Sequence, residues 1–393
     1  MKKLLTTFII LLFATSIFAQ KLNQRKIKQK HYFQEIPYQK IETWIMVPVT
    51  INGKVYKFLL DTGAPLAISD KLYKELNLQT IRRINANDAA GENKKMRYVV
   101  LPEIDLQGIT FLNTSGIVLH ENSKWAECFE IDGIIGSNML RNSIVQLDEQ
   151  KNHIIITNDI KRVSLQNSEC QKMKLSFGSN PYFKITLQKG EQKTVQNVLF
   201  DSGDAGNFFA LSMHRLRDYV VDIIAESEGF EWGAHEVFTK QKHLLLNIPE
   251  FVVNRLSFND VIVTTTQSDH SRIGVKFLQY GKTTLDYKKK RFYFEPFENT
   301  NTDKLYELPW GIGFTMQNDK KVVGIVWDKT LESQLNVGDE VLSMNGMDLQ
   351  FMNYCELFQF KTPSTGDELI VELKDKETGE IKKVEIKRMQ LNK

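Results

Sequence analysis

Two triplets in the chain hold residues that could do chemistry. Asp61-Thr62-Gly63 ends the apolar run in KFLLDTGAP, and Asp201-Ser202-Gly203 ends the one in NVLFDSGDA, 140 residues later. An ionised carboxylate where a buried strand finishes is costly unless something pairs with it. Taken singly, each Asp reads as a turn-capping residue, the ordinary role of Asp-x-Gly in a loop. Taken together, they read as two halves of one site. At average residue usage about one chain in five of this length carries a D-(S/T)-G triplet by chance, so the surroundings must decide.

Those surroundings recur. KVYKFLLDTGAPLAISDKLYKEL (54–76) is echoed by KTVQNVLFDSGDAGNFFALSMHRL (193–216): an apolar strand, the triplet, small residues, an apolar stretch and a short helix-like piece. Downstream, DGIIGSNMLRNSIVQLDEQKNHIIIT (132–157) aligns with SRIGVKFLQYGKTTLDYKKKRFYFEPF (271–297). Asp61 precedes Gly136 by 75 residues, and Asp201 precedes Gly274 by 73. Chance rarely reproduces a spacing like that.

The elements around both triplets are predicted to be β. TWIMVPVTING alternates and ends in Asn52-Gly53, a signal for a tight hairpin into the next strand. YFKITLQKGEQKTVQNVLF repeats the pattern with its turn at Gly190. The reading is of two similar β-units, residues 20–160 and 161–300, with further short strands between triplet and apolar–Gly in each.

This pattern resembles the retropepsin-like aspartic proteases over roughly residues 35–300. The resemblance implies a mostly β fold of two acid-protease β-barrel lobes in one chain. It implies Asp61 and Asp201 as a catalytic dyad, with Gly136 and Gly274 in the apolar–Gly segments that brace the two loops. Two carboxylates within hydrogen-bonding distance cannot both ionise comfortably, so they share a proton and one pKa rises; the aspartic proteases are a worked case of this. One carboxylate then serves as general base toward a water and the other as general acid toward a peptide carbonyl. Thr62 and Ser202 can hold the loops through their hydroxyls, and Gly63 and Gly203 leave room for close approach. No metal or cofactor is required, and the expected substrate is a peptide or protein.

Two residues depart from the pattern, both in the second unit. Asp204 stands where the first unit has Ala64, and Arg272-Ile273-Gly274 replaces the two apolar residues of Ile134-Ile135-Gly136. A third carboxylate beside the dyad would raise its pKa or point away into solvent. These departures keep open an alternative: a catalytically inactive, peptide-binding scaffold. By position, 87–95 and 227–236 are the candidate flaps over the cleft, with Gly91, Gly229 and Gly233 in their turns and Phe230 and Trp232 as possible peptide contacts.

Past a polar stretch at 298–304 the character of the chain changes. WGIGFTMQNDKKVVGIVWDKTLESQLNVGDEVLSMNGMDL resembles a PDZ domain, covering about 305–393. Gly311, Ile312, Gly313 and Phe314 match that family's carboxylate-binding loop, and QFMNYCELFQF (350–360) its groove helix. The resemblance implies a PDZ ligand peptide, captured as an added strand. A nucleotide-binding GxGxxG fails because Met316 sits at the third Gly. Neither a GxSxG elbow nor a comparable serine-nucleophile motif is present.

Composition bounds the rest. With 393 residues, 42% hydrophobic and 25% charged, the chain is ordinary for a protein of two or three domains. A net charge of +3 is too weak to indicate nucleic acid. Lys2 and Lys3, then the apolar run Leu4–Phe18 and Ala19, predict a signal peptide at 1–19. Its style suggests export to the periplasm or medium of a Gram-negative bacterium, with no membrane span after cleavage. Cys128, Cys170 and Cys355 permit at most one bridge, and their expected role is as small buried apolar side chains. The seven His show no metal-ligand spacing.

Overall fold

The structure, a computed structural model, describes residues 22–390 apart from 89, 122, 167, 219, 232, 236–238, 299, 301 and 303–307. The predicted signal segment, much of the 298–304 stretch and Trp232 therefore lie outside the described residues.

Among the described residues strands dominate, arranged in four sheets. The Asn52-Gly53 turn has φ of 51° and 78°, the left-handed pair that a tight hairpin needs, and it joins Trp44–Ile51 to Lys54–Asp61. Lys54–Asp61 then runs parallel to Gly133–Gly136, which puts Gly136 directly beside Asp61. In a second sheet Gln192–Asp201 runs parallel to Arg272–Gly274, and Gly274 lies directly beside Asp201. The matched spacings of the sequence are thus matched registers. A hydrophobic strand of this kind is covered on both faces, which accounts for its unbroken apolar run.

A six-stranded sheet joins the two units within one chain. Ile144–Asp148 of the first pairs antiparallel with Gly281–Asp286 of the second, from Ile144↔Asp286 to Leu147↔Thr283. Gln146 Nε2 donates to Thr284 Oγ1 across this junction at 2.9 Å. One continuous apolar core runs through both units and the joining sheet, from Ile36 and Phe58 to Phe277 and Phe294. The halves are held in cis by shared backbone pairing and shared core.

Residues 310–388 form a separate six-stranded sheet with its own core around Val323, Leu369, Val371 and Ile386. Its helix, Tyr354–Gln359, begins with a reciprocal capping box between Asn353 and Glu356. At the other end, buried Lys321 donates to Leu357 O at 3.0 Å and Phe360 O at 2.8 Å, satisfying carbonyls the helix leaves open. Among the described residues no helix is long and apolar enough to cross a membrane.

The cysteines depart from expectation. Cys128 and Cys355 form a disulfide across a separation of 227 residues, and Cys170 is free and exposed. None of the three serves simply as a small core side chain. The bridge follows from two short helices, Lys124–Cys128 and Tyr354–Gln359, packing together. Nothing in the local sequence around either residue records that packing.

Candidate active site

Asp61 and Asp201 come together where the two strands end. Their loops interlock through the hydroxyl residues. Thr62 Oγ1 donates to Phe200 O at 2.6 Å and accepts from Ser202 N at 3.0 Å. Ser202 Oγ donates to Leu60 O at 2.9 Å and accepts from Thr62 N at 3.0 Å. Both hydroxyls are fully buried and each uses its donor and an acceptor, so four buried polar backbone groups are satisfied by two side chains.

The glycines let the carboxylates meet. A Cβ on Gly63 would collide with the Asp201 carboxylate, and one on Gly203 with that of Asp61. Each glycine amide also donates to its own loop's Asp: Gly63 N to Asp61 Oδ1 at 2.8 Å, and Gly203 N to Asp201 Oδ1 at 3.1 Å. Gly136 and Gly274 lie against the next turn of each loop. There a Cβ would strike Pro65 and Leu66 in the first, and Asn207 and Asp204 in the second. Matching amides follow, with Ser137 N donating to Ala64 O and Val275 N to Asp204 O, both at 3.0 Å.

Burial raises the proton affinity of both acids. Burial, then the Asp61 and Asp204 carboxylates, push Asp201 well above the usual carboxylate range. Asp61 is raised too, chiefly by burial, but its hydrogen bond with Asp201 and the amides of Gly63 and Ala64 pull the other way. The two acids therefore titrate as one coupled pair that holds a shared proton above the usual carboxylate range.

Asp204 does not point into solvent. Its Oδ2 accepts from Arg272 Nε at 2.6 Å, and its Oδ1 from Asn207 N and Nδ2 at 3.2 and 3.0 Å. Arg272 is itself buried and continues to Thr266 Oγ1 at 3.0 Å, with the Glu231 carboxylate 3.6 Å away. Burial alone would lower the guanidinium's pKa, but Asp204, Asp201 and Glu231 more than reverse this. The two departures from the expected pattern are one ion pair. The added carboxylate still raises both dyad acids, and Arg272 offsets that at Asp201.

Several site residues carried no signal in the sequence. Trp44 Nε1 donates to Gly203 O at 2.8 Å and Thr43 Oγ1 to Ala205 O at 2.7 Å, so the first unit supports the second unit's loop. In return, Tyr287 OH lies 2.9 Å from Ser137 Oγ, which donates to Thr62 O at 2.7 Å.

The dyad opens into a cleft of about 640 Å³. The two candidate flaps meet above it. Asp88 Oδ2 accepts from His235 N at 2.9 Å, His235 Nε2 lies 2.9 Å from Ala86 O, and Lys94 Nζ donates to His235 O at 2.7 Å. Phe230 lines the cleft. Of the residues resembling a carboxylate-binding loop, Ile312, Gly313 and Phe314 lie in the strand Ile312–Gln317, distant in sequence from the dyad. Gly311 precedes that strand, and its N–H is already donated to Lys387 O at 2.8 Å. Among the described residues no group of three His, Cys, Asp or Glu is placed to hold a metal.

Comparison with known proteins agrees with this geometry for the first unit. Residues 47–139, which include Asp61, Thr62, Gly63 and Gly136, match the aspartyl protease family. Among solved structures, a retropepsin-like aspartic protease from Rickettsia conorii aligns over 33% of this chain and 95% of its own, with 17% identity and a TM-score of 0.25. Conglutin gamma, a basic 7S globulin from lupine seeds, aligns over 69% of this chain and 96% of its own, with 9% identity and a TM-score of 0.41. No curated protein matches the chain. The chain is a mostly β protein whose first unit is similar to the aspartyl proteases.

Proposed function

We propose that the chain is an exported aspartic endopeptidase. The observation that carries this reading is the interlocked pair of loops, which sets two carboxylates with raised proton affinity at the floor of one cleft. Asp61, ionised, takes a proton from a water as that water's oxygen bonds to the peptide carbonyl carbon. Asp201 gives its proton to the carbonyl oxygen, and a neutral tetrahedral diol results. The C–N bond then breaks: the amine nitrogen takes the proton held on Asp61, and one diol hydroxyl returns its proton to Asp201. Water is consumed and both acids end as they began.

The inactive-scaffold alternative rested on Asp204 and Arg272. Those residues neutralise one another beside an intact pair of loops, so they give it little support. Export is supported by the apolar run at 4–18 and by the Cys128–Cys355 bridge, since such bridges persist in oxidising compartments. The C-terminal domain we read as PDZ-like. Its strand Ile312–Gln317 stands at the end of its sheet, where a ligand strand could add, while the Gly311 amide is not free for a terminal carboxylate.

The test is cleavage of a mixed peptide library at acidic and neutral pH by the purified chain. Wild type should cleave, and Asp61→Asn and Asp201→Asn should each lose activity. Cleavage that survives both substitutions would sink the dyad.

A further inference from the structure

The cleft above Asp61 and Asp201 is not built from the two protease-like units alone. Ile325 and Trp327, in and just after the strand Lys320–Val326, and Phe358, in the helix Tyr354–Gln359, also line it. All three belong to the C-terminal domain. Ile325 and Phe358 keep part of their surface exposed, which side chains serving only to glue two domains together would not need to do.

An unbroken series of contacts ties these residues to the catalytic loops. Phe358 meets Phe129 edge-on with ring centres 5.8 Å apart, and Phe129 meets Trp44 at 5.0 Å. The indole of Trp44 in turn holds Gly203 O. On the other side, Gly229 of the strand Asp222–Phe230 packs so closely on Gly324 and Ile325 that a Cβ there would come within 2.6 Å of Gly324 O.

A different set of residues fixes the docking. Cys355 is bonded to Cys128, and Gln359 Nε2 donates to Cys128 O at 2.9 Å. Lys124 pairs with Asp319, and Lys361 with Glu42. The domain is thus clamped to the first unit by one set of side chains while it presents another to the cleft.

We infer that Ile325, Trp327 and Phe358, with Trp44 and Trp125, form an apolar subsite through which the C-terminal domain selects peptide substrates with a large apolar or aromatic side chain. The inference rests on the proteolytic reading for its meaning in catalysis, but not for its binding chemistry. Apolar pockets discriminate by about 10–200-fold per lost or added group, so the effect is large enough to measure.

The experiment uses octapeptide amides of Ala and Ser in which one position at a time carries Phe. Cleavage is followed with the wild-type chain, and binding by calorimetry with the full-length Asp61→Asn chain. At one position Phe should be favoured over Ala by about tenfold or more. Ile325→Ala and Phe358→Ala should each shrink that ratio severalfold. Ile325→Phe, which keeps the wall and fills the pocket, should turn the preference toward smaller residues. An unchanged ratio in all three variants, or no Phe preference in either assay, overturns the proposal. Phe-selective binding without cleavage by the wild type would instead reject the proteolytic reading and leave the subsite standing.

Discussion

Arg272 donates from Nε to Oδ2 of Asp204 at 2.6 Å, and both side chains are nearly closed to solvent. The pair sits at the edge of the loop that carries Asp201, whose backbone Asp204 also holds through Asn207. A buried ion pair is costly to assemble and costlier to halve.

Removing one partner should therefore hurt more than removing both. Arg272→Leu leaves Asp204 buried and unpaired and should cost about 3–5 kcal/mol. Adding Asp204→Ala to it should recover part of that loss. A double-mutant cycle by urea denaturation reads the coupling, and additive losses would refute it.

The same substitution should move the pH profile. Arg272 holds Asp201 down against the pull of burial and two carboxylates. In Arg272→Leu with Asp204 retained, Asp201 binds its proton more tightly, so the alkaline limb of kcat/KM should shift to higher pH. A shift the other way would show that the guanidinium does not act on the dyad.

Thr62→Val and Ser202→Ala should each destabilise the chain by about 1–3 kcal/mol, because each leaves a buried carbonyl and a buried amide unpaired. Each hydroxyl serves the opposite loop, so activity should fall with either change. Denaturation midpoints and peptide turnover check both.

The dyad should make stability depend on pH in an unusual direction. A carboxyl whose pKa is raised on folding has no cost below its unfolded value and destabilises the fold as pH climbs through the raised one. Asp201→Asn removes that penalty. Its Tm should exceed that of wild type at neutral pH, with the gap closing toward pH 3. Equal Tm differences at both ends would contradict a raised pKa at the carboxyl pair.

Cys128→Ser with Cys355→Ser should lower stability by about 2–4 kcal/mol and expose the C-terminal domain to limited proteolysis. The bridge holds the helix that carries Phe358 in the cleft, so the double variant should lose part of its preference for a large apolar side chain while still cleaving peptides of Ala and Ser at low temperature. Loss of turnover in parallel with undocking would instead mean that the domain's position is needed for cleavage itself.

Local chemistry was legible in the residues. The Asn52-Gly53 and Gly190 turns, the apolar strands into each Asp-x-Gly and the equal spacings to Gly136 and Gly274 depend on neighbours in the chain, so periodicity and turn residues show them. Those spacings became backbone registers, and the two candidate flaps meet over the cleft, although Gly229, expected in a turn, lies inside the strand Asp222–Phe230 and pairs with Gln241. Only the tertiary structure could join Asp204 to Arg272, 68 residues on, or Cys128 to Cys355, 227 residues on. Such contacts are set by where whole sheets and domains pack, and no local pattern encodes that. Asp204 and Arg272 looked in the sequence like two separate signs of decay; brought together, each supplies the charge the other needs.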